Sequence, residues 1–569
     1  MTTSCTVVDD DAVPVEAPPA PRWWRRPVSW TWVGTGLVLV LFAELAWRRR
    51  WMSDDGLLVL RTVRQVLAGN GPVFNVGERV EANTSPLWTA ILSLLGLIPG
   101  VTLEWVSVLT GLVFSLGGLL FGLDGARRLY RPAGFGLLVP AGALVVCALP
   151  PFRDFATSGL ETGLITWWLG GSWWSLVRRA AAEPGARSWP IALVLGLGPL
   201  IRPDLALFSV VAFAALVVLV RPGWRPALGL LAVAGALPLA YQVFRMGYYG
   251  LLTPNTALAK EAAAANWARG WAYFADLAGP YQLWTPVALL VLAAVLTLWW
   301  VPVGRAFAVL TLLPLAGACL LGLYVIRVGG DFMHGRMLLP ALFCALLPVL
   351  ALPLTRRTAV VLAGVGVWAF VAAGWLRPPY VGLHQATNVT DERDFWSYAT
   401  GRANPVLASD YAGYPGLPAT LAAVRATTGP AVLVKDYRTQ TWQAHPTDRP
   451  YLTVATDSMG ALSLLVPLDV RLHDGYGLAS PLAAHSAAIP DGRPGHQKWL
   501  PGDWELADSS PVDASSDVRA ALACPRLEEI IGSVREPLTF GRFRANLTGS
   551  FARGSVRFPR DAEQARFCR

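Results

Sequence analysis

Residues 30–60, "WTWVGTGLVLVLFAELAWRRRWMSDDGLLVL", decide the fold. The apolar part carries a single charge, Glu44, and approaches the ~20 residues with which a helix crosses a bilayer. Arg48, Arg49 and Arg50 follow, and then two adjacent carboxylates, Asp54 and Asp55. Residues 1–21 are polar and acidic, and no small-residue cleavage site follows the apolar run. It is therefore expected to be a retained helix, not a secretory signal.

Composition extends that reading to most of the chain. Of 569 residues, 54% are hydrophobic and only 15% charged, whereas soluble domains carry about 25% charged residues. With a mean hydropathy of +0.44, this is a polytopic α-helical membrane protein. Apolar runs stop near residue 376, and beyond them lie polar, turn-rich stretches such as "HPTDRP" and "DGRPGHQ". The expected organisation is a cytoplasmic tail (1–28), a transmembrane domain (29–376) and an extracytoplasmic globular domain (377–569) of α/β or mixed class. The last is long enough for a core of its own.

The net charge of +9 does not point to nucleic acid, because the basic residues sit mostly in short loops between apolar runs, where membrane topology explains them. Spans are expected over roughly 29–47, 104–123, 134–150, 161–177, 189–201, 204–220, 225–243, 281–301, 305–326, 337–354 and 358–376, about eleven helices, the shortest tilted or broken. A cytoplasmic N-terminus puts "ARRLYRP", "VRRAAAEPGARS", "VRPGWRP" and "TRRTA" on the cytoplasmic side, as the positive-inside rule requires. The frame holds only if 85–100 does not cross. That segment is expected to lie in the interface, with Trp88 at headgroup level. The opposite face then collects the first outer loop (48–103), "PFRDFATSGLE", "YYGLLTPNTALAK" and "RVGGDFMHGR".

Chemistry is sought in those loops. One of Asp54 and Asp55 would serve as an N-cap for "GLLVLRTVRQVLA", but one cap leaves the other carboxylate unexplained. Carboxylates beside cations stay ionised and available as base or nucleophile, and Arg50 and its neighbours suit a phosphate. Arg153 and Glu161 flank a helix boundary, where Glu161 is also a plain dipole partner. Lys260 is one of only three lysines among 47 basic residues, so a compact charge at this position suits a phosphate contact. Asp331, His334 and Arg336 form a donor-rich turn, too thin for a metal site. No metal is expected, with a divalent ion left as an open alternative. Cys147, Cys319 and Cys344 fall in spans and Cys5 in the tail. Cys524 and Cys568 fall in the outer domain, a disulfide candidate in an oxidising compartment.

Taken in order, the Asp pair, "GNGPVFNVGERVEANTSPLW", "SGLE", "QVFRMGYYGLL", "YYGLLTPNTALAK", "GGDFMHGR", "TDERDFWSYATG", "LDVR" and "SPLAAH" resemble the GT-C superfamily of polyprenyl-phosphate-sugar glycosyltransferases. Within it, the chain is most similar to the terminal β-(1→2)-arabinofuranosyltransferases of arabinogalactan-walled actinobacteria. The likeness runs from about residue 45 to the C-terminus. It implies a decaprenyl-phosphoryl-arabinofuranose donor, an arabinan acceptor (arabinogalactan or lipoarabinomannan) and a site on the outer face of the plasma membrane. It implies Asp54 and Asp55 as the catalytic pair, with Asp55 as base and Asp54 orienting. Lys260, His334 and Arg336, helped by Arg153, would hold the leaving phosphate. A β donor and β product would require a covalent or front-face route, because one direct displacement inverts. Alternatives are a related GT-C enzyme with another sugar or linkage, and a lipid-linked-sugar flippase.

Overall fold

The computed structural model describes residues 27–262, 264–378, 388–436, 438–490, 492–510 and 515–565. The stretch read first is a helix, α1 (Pro27–Trp47), followed by the short helix α2 (Asp54–Leu67) that carries the Asp pair. Among the described residues five helices are long and apolar enough to cross a membrane: Trp30–Trp47, Leu103–Ala133, Pro203–Val220, Trp224–Tyr249 and Arg305–Val328. Shorter apolar helices (Trp284–Leu298, Ala359–Trp375 and others) occupy further expected spans. Residues 189–201 break into Trp189–Gly196 and Gly198–Ile201. The stretch 134–150 is not a single helix. It forms strand β1 (Leu138–Val139) and a helix of eight residues, Ala141–Ala148, with β1 paired antiparallel to β2 (Leu352–Pro353).

Two expectations need correction. The helix α3 (Pro86–Leu95) is short, and its Trp88 is not an indole exposed to a wet interface. It is fully buried and donates its indole N–H to Gly159 O at 3.0 Å. An internal carbonyl satisfies the indole here, so no wet interface is needed; Leu94, Leu97 and Ile98 are the exposed side chains of this segment. Neither aspartate caps α2. Ser53 does, its hydroxyl accepting Gly56 N–H at 2.9 Å.

Helix α4 (Leu103–Tyr130) packs along α5 (Thr162–Ala180) through glycines. A Cβ on Gly163 would stand 2.1 Å from Gly111 O, and one on Gly170 2.4 Å from Gly118 O. In a membrane, where apolar surface gives little drive for association, close backbone approach of this kind holds helices together. The basic loops gather at one end. Tyr130 OH donates to Pro348 O (3.1 Å), Leu354 N–H to Leu137 O (2.9 Å) and Trp174 Nε1 to Asp124 (2.8 Å), so the "ARRLYRP", "VRRAAAEPGARS" and "TRRTA" loops share a side. Asp55, Lys260 and Arg336 meet nearer the start of α4, where Ser107 Oγ lies 3.9 Å from Met52 Sδ, just ahead of the Asp pair.

The region after residue 388 holds helix α6 (Glu392–Thr400) and a four-stranded sheet of order β4-β3-β5-β6. Here β3 (Val432–Asp436) is antiparallel to β4 (Thr441–His445) and parallel to β5 (Thr453–Thr456), which is parallel to β6 (Arg471–Asp474). Helix α7 (Gly460–Leu465) connects β5 to β6. Trp396, Val454 and Leu472 belong to the same buried cluster as the membrane helices, while Leu482, Trp504, Ile530 and Phe558 form a second, smaller core. Only the last part of the C-terminal region therefore has a core of its own. The first part is built onto the membrane helices, and the site lies at that junction.

Candidate active site

The chain between α1 and α2 is pinned before it reaches the acids. Trp51 Nε1 donates to Asp154 O at 2.8 Å and Ser53 N–H to Ser158 O at 2.9 Å. With Ser53 as cap, both aspartates occupy the first turn of α2 with their carboxyls free for other work.

They do different work. Asp55 Oδ2 lies 3.3 Å from Lys260 Nζ and 3.5 Å from Arg336 Nη1. Burial alone would raise its pKa, but these two cations outweigh burial and hold it below the ordinary carboxylate range. Asp54 faces α7 instead. A Cβ on Gly460 would fall 1.9 Å from Asp54 Oδ1, so only glycine lets the helix come this close. Burial first, then the charge of Asp55, push Asp54 up to about 7, against the pull of the Gly460 and Ala461 amides. Adjacent carboxyls driven apart in this way can hold one ionised group and one that exchanges a proton near neutrality.

The pair opens into a cavity of about 360 Å³ between the membrane helices and the C-terminal region. Lys260, Glu392, Arg493 and His496 line it near the acids, and Tyr414, Trp442 and Tyr476 provide aromatic walls. Arg493 is stacked over Phe332 (4.9 Å), and His496 meets Tyr476 edge-on at 4.8 Å. Charged groups and aromatic faces lining one cavity suit a sugar ring, whose C–H face packs on aromatics while its hydroxyls need polar partners.

The other expected residues divide into a second layer and outliers. Arg336 is buried and also contacts Asp331 (3.5 Å) and Glu161 (3.7 Å), while Glu161 lies 3.8 Å from Arg202. Asp331 and Glu161 thus hold Arg336 and lie behind the cavity wall. His334 does not reach the acids. Its Nδ1 lies 2.6 Å from Asp276 and its Nε2 3.0 Å from Tyr281 OH, which occupies both ring nitrogens.

Arg50 and Arg153 are outside the site. Arg50 stacks on Trp47 (4.7 Å) and donates to Trp47 O, and Arg153 is buried in the charged cluster of Asp154, Arg49 and Arg377. The arginine block beside the Asp pair in sequence is spent elsewhere, with Arg48 on Glu44 and Arg49 on Asp154 and Asp394. Cys524 is disulfide-bonded, and Cys568 lies outside the described residues.

Sequence reading missed Glu392, Gly460, Arg493 and His496. Glu392 stands in "TDERD", a charge run that normally marks a solvated face, and its contact with Asp54 spans 338 positions. No local pattern announces such a contact.

Residues 417–566 match a family model described as the AftB family C-terminal domain. The chain is 40% identical to the terminal β-(1→2)-arabinofuranosyltransferase of Mycobacterium tuberculosis, over 91% of this chain and 94% of that protein. It is 38% identical to the protein of the same name from Corynebacterium glutamicum, over 89% of this chain and 83% of that one. No solved structure matches it.

Proposed function

The chain belongs to the family of terminal β-(1→2)-arabinofuranosyltransferases and is an arabinofuranosyl-transferring enzyme; from this we propose that it moves arabinofuranose from decaprenyl-phosphoryl-arabinofuranose onto the non-reducing ends of cell-wall arabinan, in β-(1→2) linkage, at the extracytoplasmic face of the plasma membrane. One observation carries the reading. The acidic pair, paired through Asp55 with Lys260 and Arg336, opens into a cavity that aromatic residues of the C-terminal region also line.

The chemistry follows from the two charge states. Asp54, which titrates near neutrality, takes the proton of the acceptor 2-hydroxyl, reversing the roles expected from the sequence. Its pKa of about 7 suits a general base better than that of Asp55, since base efficiency peaks when the pKa lies near the working pH. Asp55 stays ionised and holds Lys260 and Arg336 in place until the donor phosphate arrives. As the C1–O bond to phosphate breaks, negative charge grows on the departing lipid phosphate and these two cations neutralise it. Tyr414, Trp442 and Tyr476 would seat the arabinan end.

Purified protein incubated with labelled polyprenyl-phosphoryl-arabinofuranose and an arabinan oligosaccharide tests this. Label is expected in terminal β-(1→2) arabinose. Another linkage would indicate a related transferase, and movement of intact donor across vesicles without transfer would indicate a flippase.

A further inference from the structure

Glu392 reaches the cavity from the first turn of α6. Its Oε1 accepts two hydrogen bonds, from the backbone N–H of Asp54 (3.2 Å) and from Trp396 Nε1 (3.1 Å). Its Oε2 is buried and has no hydrogen-bond partner. A buried carboxylate oxygen with no donor is an uncompensated charge, which proteins avoid by protonating the group.

The surroundings favour the same state. From α2 the group faces Asp54 and Asp55, both acidic, and Tyr411 lies close by. On its own segment Asp391 and Arg393 flank it, and the Arg393 guanidinium is committed to Arg49 O, Asp394 and Ala403 O. A void of about 10 Å³ adjoining Glu392 is lined also by Asp154, Asp391, Arg393 and His334. Arg493 is the cation on the cavity side, held over Phe332.

We propose that Glu392 is a positioning residue that works only as the neutral acid, fixing the backbone of the base Asp54 while keeping a third negative charge out of the site. Burial, then the charges of Asp55 and Asp54, push Glu392 up to about 8. Between the titration of Asp54 and that of Glu392 the site thus holds an ionised base beside a neutral acid. At higher pH Glu392 ionises, and the third negative charge it adds beside Asp54 and Asp55 repels the donor phosphate. The proposal rests on Asp54 being the base.

The test is a pH–rate profile of the full chain against that of Glu392→Gln, which keeps the shape and an acceptor for Asp54 N–H but cannot ionise. The unmodified enzyme should rise through neutrality and fall at alkaline pH, whereas Glu392→Gln should keep the rise and lose the fall. An unchanged alkaline fall in Glu392→Gln would overturn the proposal. Infrared difference spectra between neutral and alkaline pH, on substrate-free protein, give a readout independent of the transfer reaction. Two carboxylic-acid bands, those of Asp54 and Glu392, should disappear with rising pH in the unmodified protein, and the one lost at the higher pH should be missing from Glu392→Gln. Identical spectra for the two also overturn it. Should Glu392→Gln fail to fold, Asp54→Asn should retain that second band and titrate it at lower pH, because one repelling charge is gone. Loss of the band in Asp54→Asn would refute the assignment to Glu392.

Discussion

Asp54 and Asp55 share one helical turn, and their neighbours alone separate their chemistry. A base with a pKa of about 7 is half ionised at neutrality and protonated below it, so turnover should climb with pH through that range before the alkaline fall set by Glu392. A pH–rate profile flat across neutrality would remove Asp54 as base. Asp55→Asn should keep expression and fold while lowering turnover by about 10²-fold or more, the scale of a lost ionised group in the reacting centre. Lys260 meets Asp55 at 3.3 Å, and the phosphate it serves gains charge in the transition state. Lys260→Ala should therefore raise donor KM and lower kcat, with acceptor KM unmoved, and Lys260→Arg should rescue only in part, because a planar fork replaces a compact charge poorly. A rise in acceptor KM alone would move Lys260 to the arabinan. The acids and Lys260 were legible because two adjacent carboxylates and a rare lysine stand out against an arginine-rich background. The electrostatic reason was not, since the arginines nearest in sequence pair with Glu44, Asp154 and Asp394.

At the scale of elements, α2 and α7 form the unit that sets the site. The first turn of α2 carries Asp54 against Gly460. One to two turns on, Arg61 is wholly buried and donates to Ser463 O (2.8 Å) and Val470 O (2.7 Å), closing the far end of α7. Gly460 is thus the place where a small change acts on the chemistry through packing. Gly460→Ala would put a methyl carbon 1.9 Å from Asp54 Oδ1, so it should abolish most turnover while thermal unfolding changes little. Wild-type turnover by Gly460→Ala would dissociate α7 from the site. The hydrophobic runs announced the membrane helices, and the period of 54–67 announced α2. The break at 189–201 was legible from length alone. The β1–β2 pair was not, because two-residue strands inside apolar runs have no period to read, nor was the burial of Trp88, because an indole suits a wet interface and an internal carbonyl equally.

At the scale of the molecule, the C-terminal region and the first loop are one structure. Arg471 is buried between Glu78 (2.9 Å) and Asp508 (3.5 Å), and Arg535 contacts the same two acids at 2.8 and 2.5 Å. Burial would raise Glu78, but Arg471 and Arg535 outweigh it and hold its pKa below normal. A depressed carboxylate contributes stability that is complete above its unfolded pKa and lost as pH falls through the folded one. Acid should therefore loosen this junction only as pH falls below the ordinary carboxylate range, and Glu78→Gln should destabilise by about 3–5 kcal/mol in thermal or denaturant unfolding, the scale of removing one partner from a buried charge cluster. In the proposed topology an impermeant label on intact cells should reach cysteines placed in 388–565 and miss those in 178–188; the opposite pattern would invert the frame. The central claim, that Asp54 acts as base on a sugar carried by a lipid phosphate, is tested most directly by single turnover of labelled polyprenyl-phosphoryl-arabinofuranose onto an arabinan oligosaccharide. The unmodified enzyme should transfer the label, and Asp54→Asn should bind donor with similar affinity yet transfer about 10²-fold or more slowly. Equal single-turnover rates for the two proteins would contradict it.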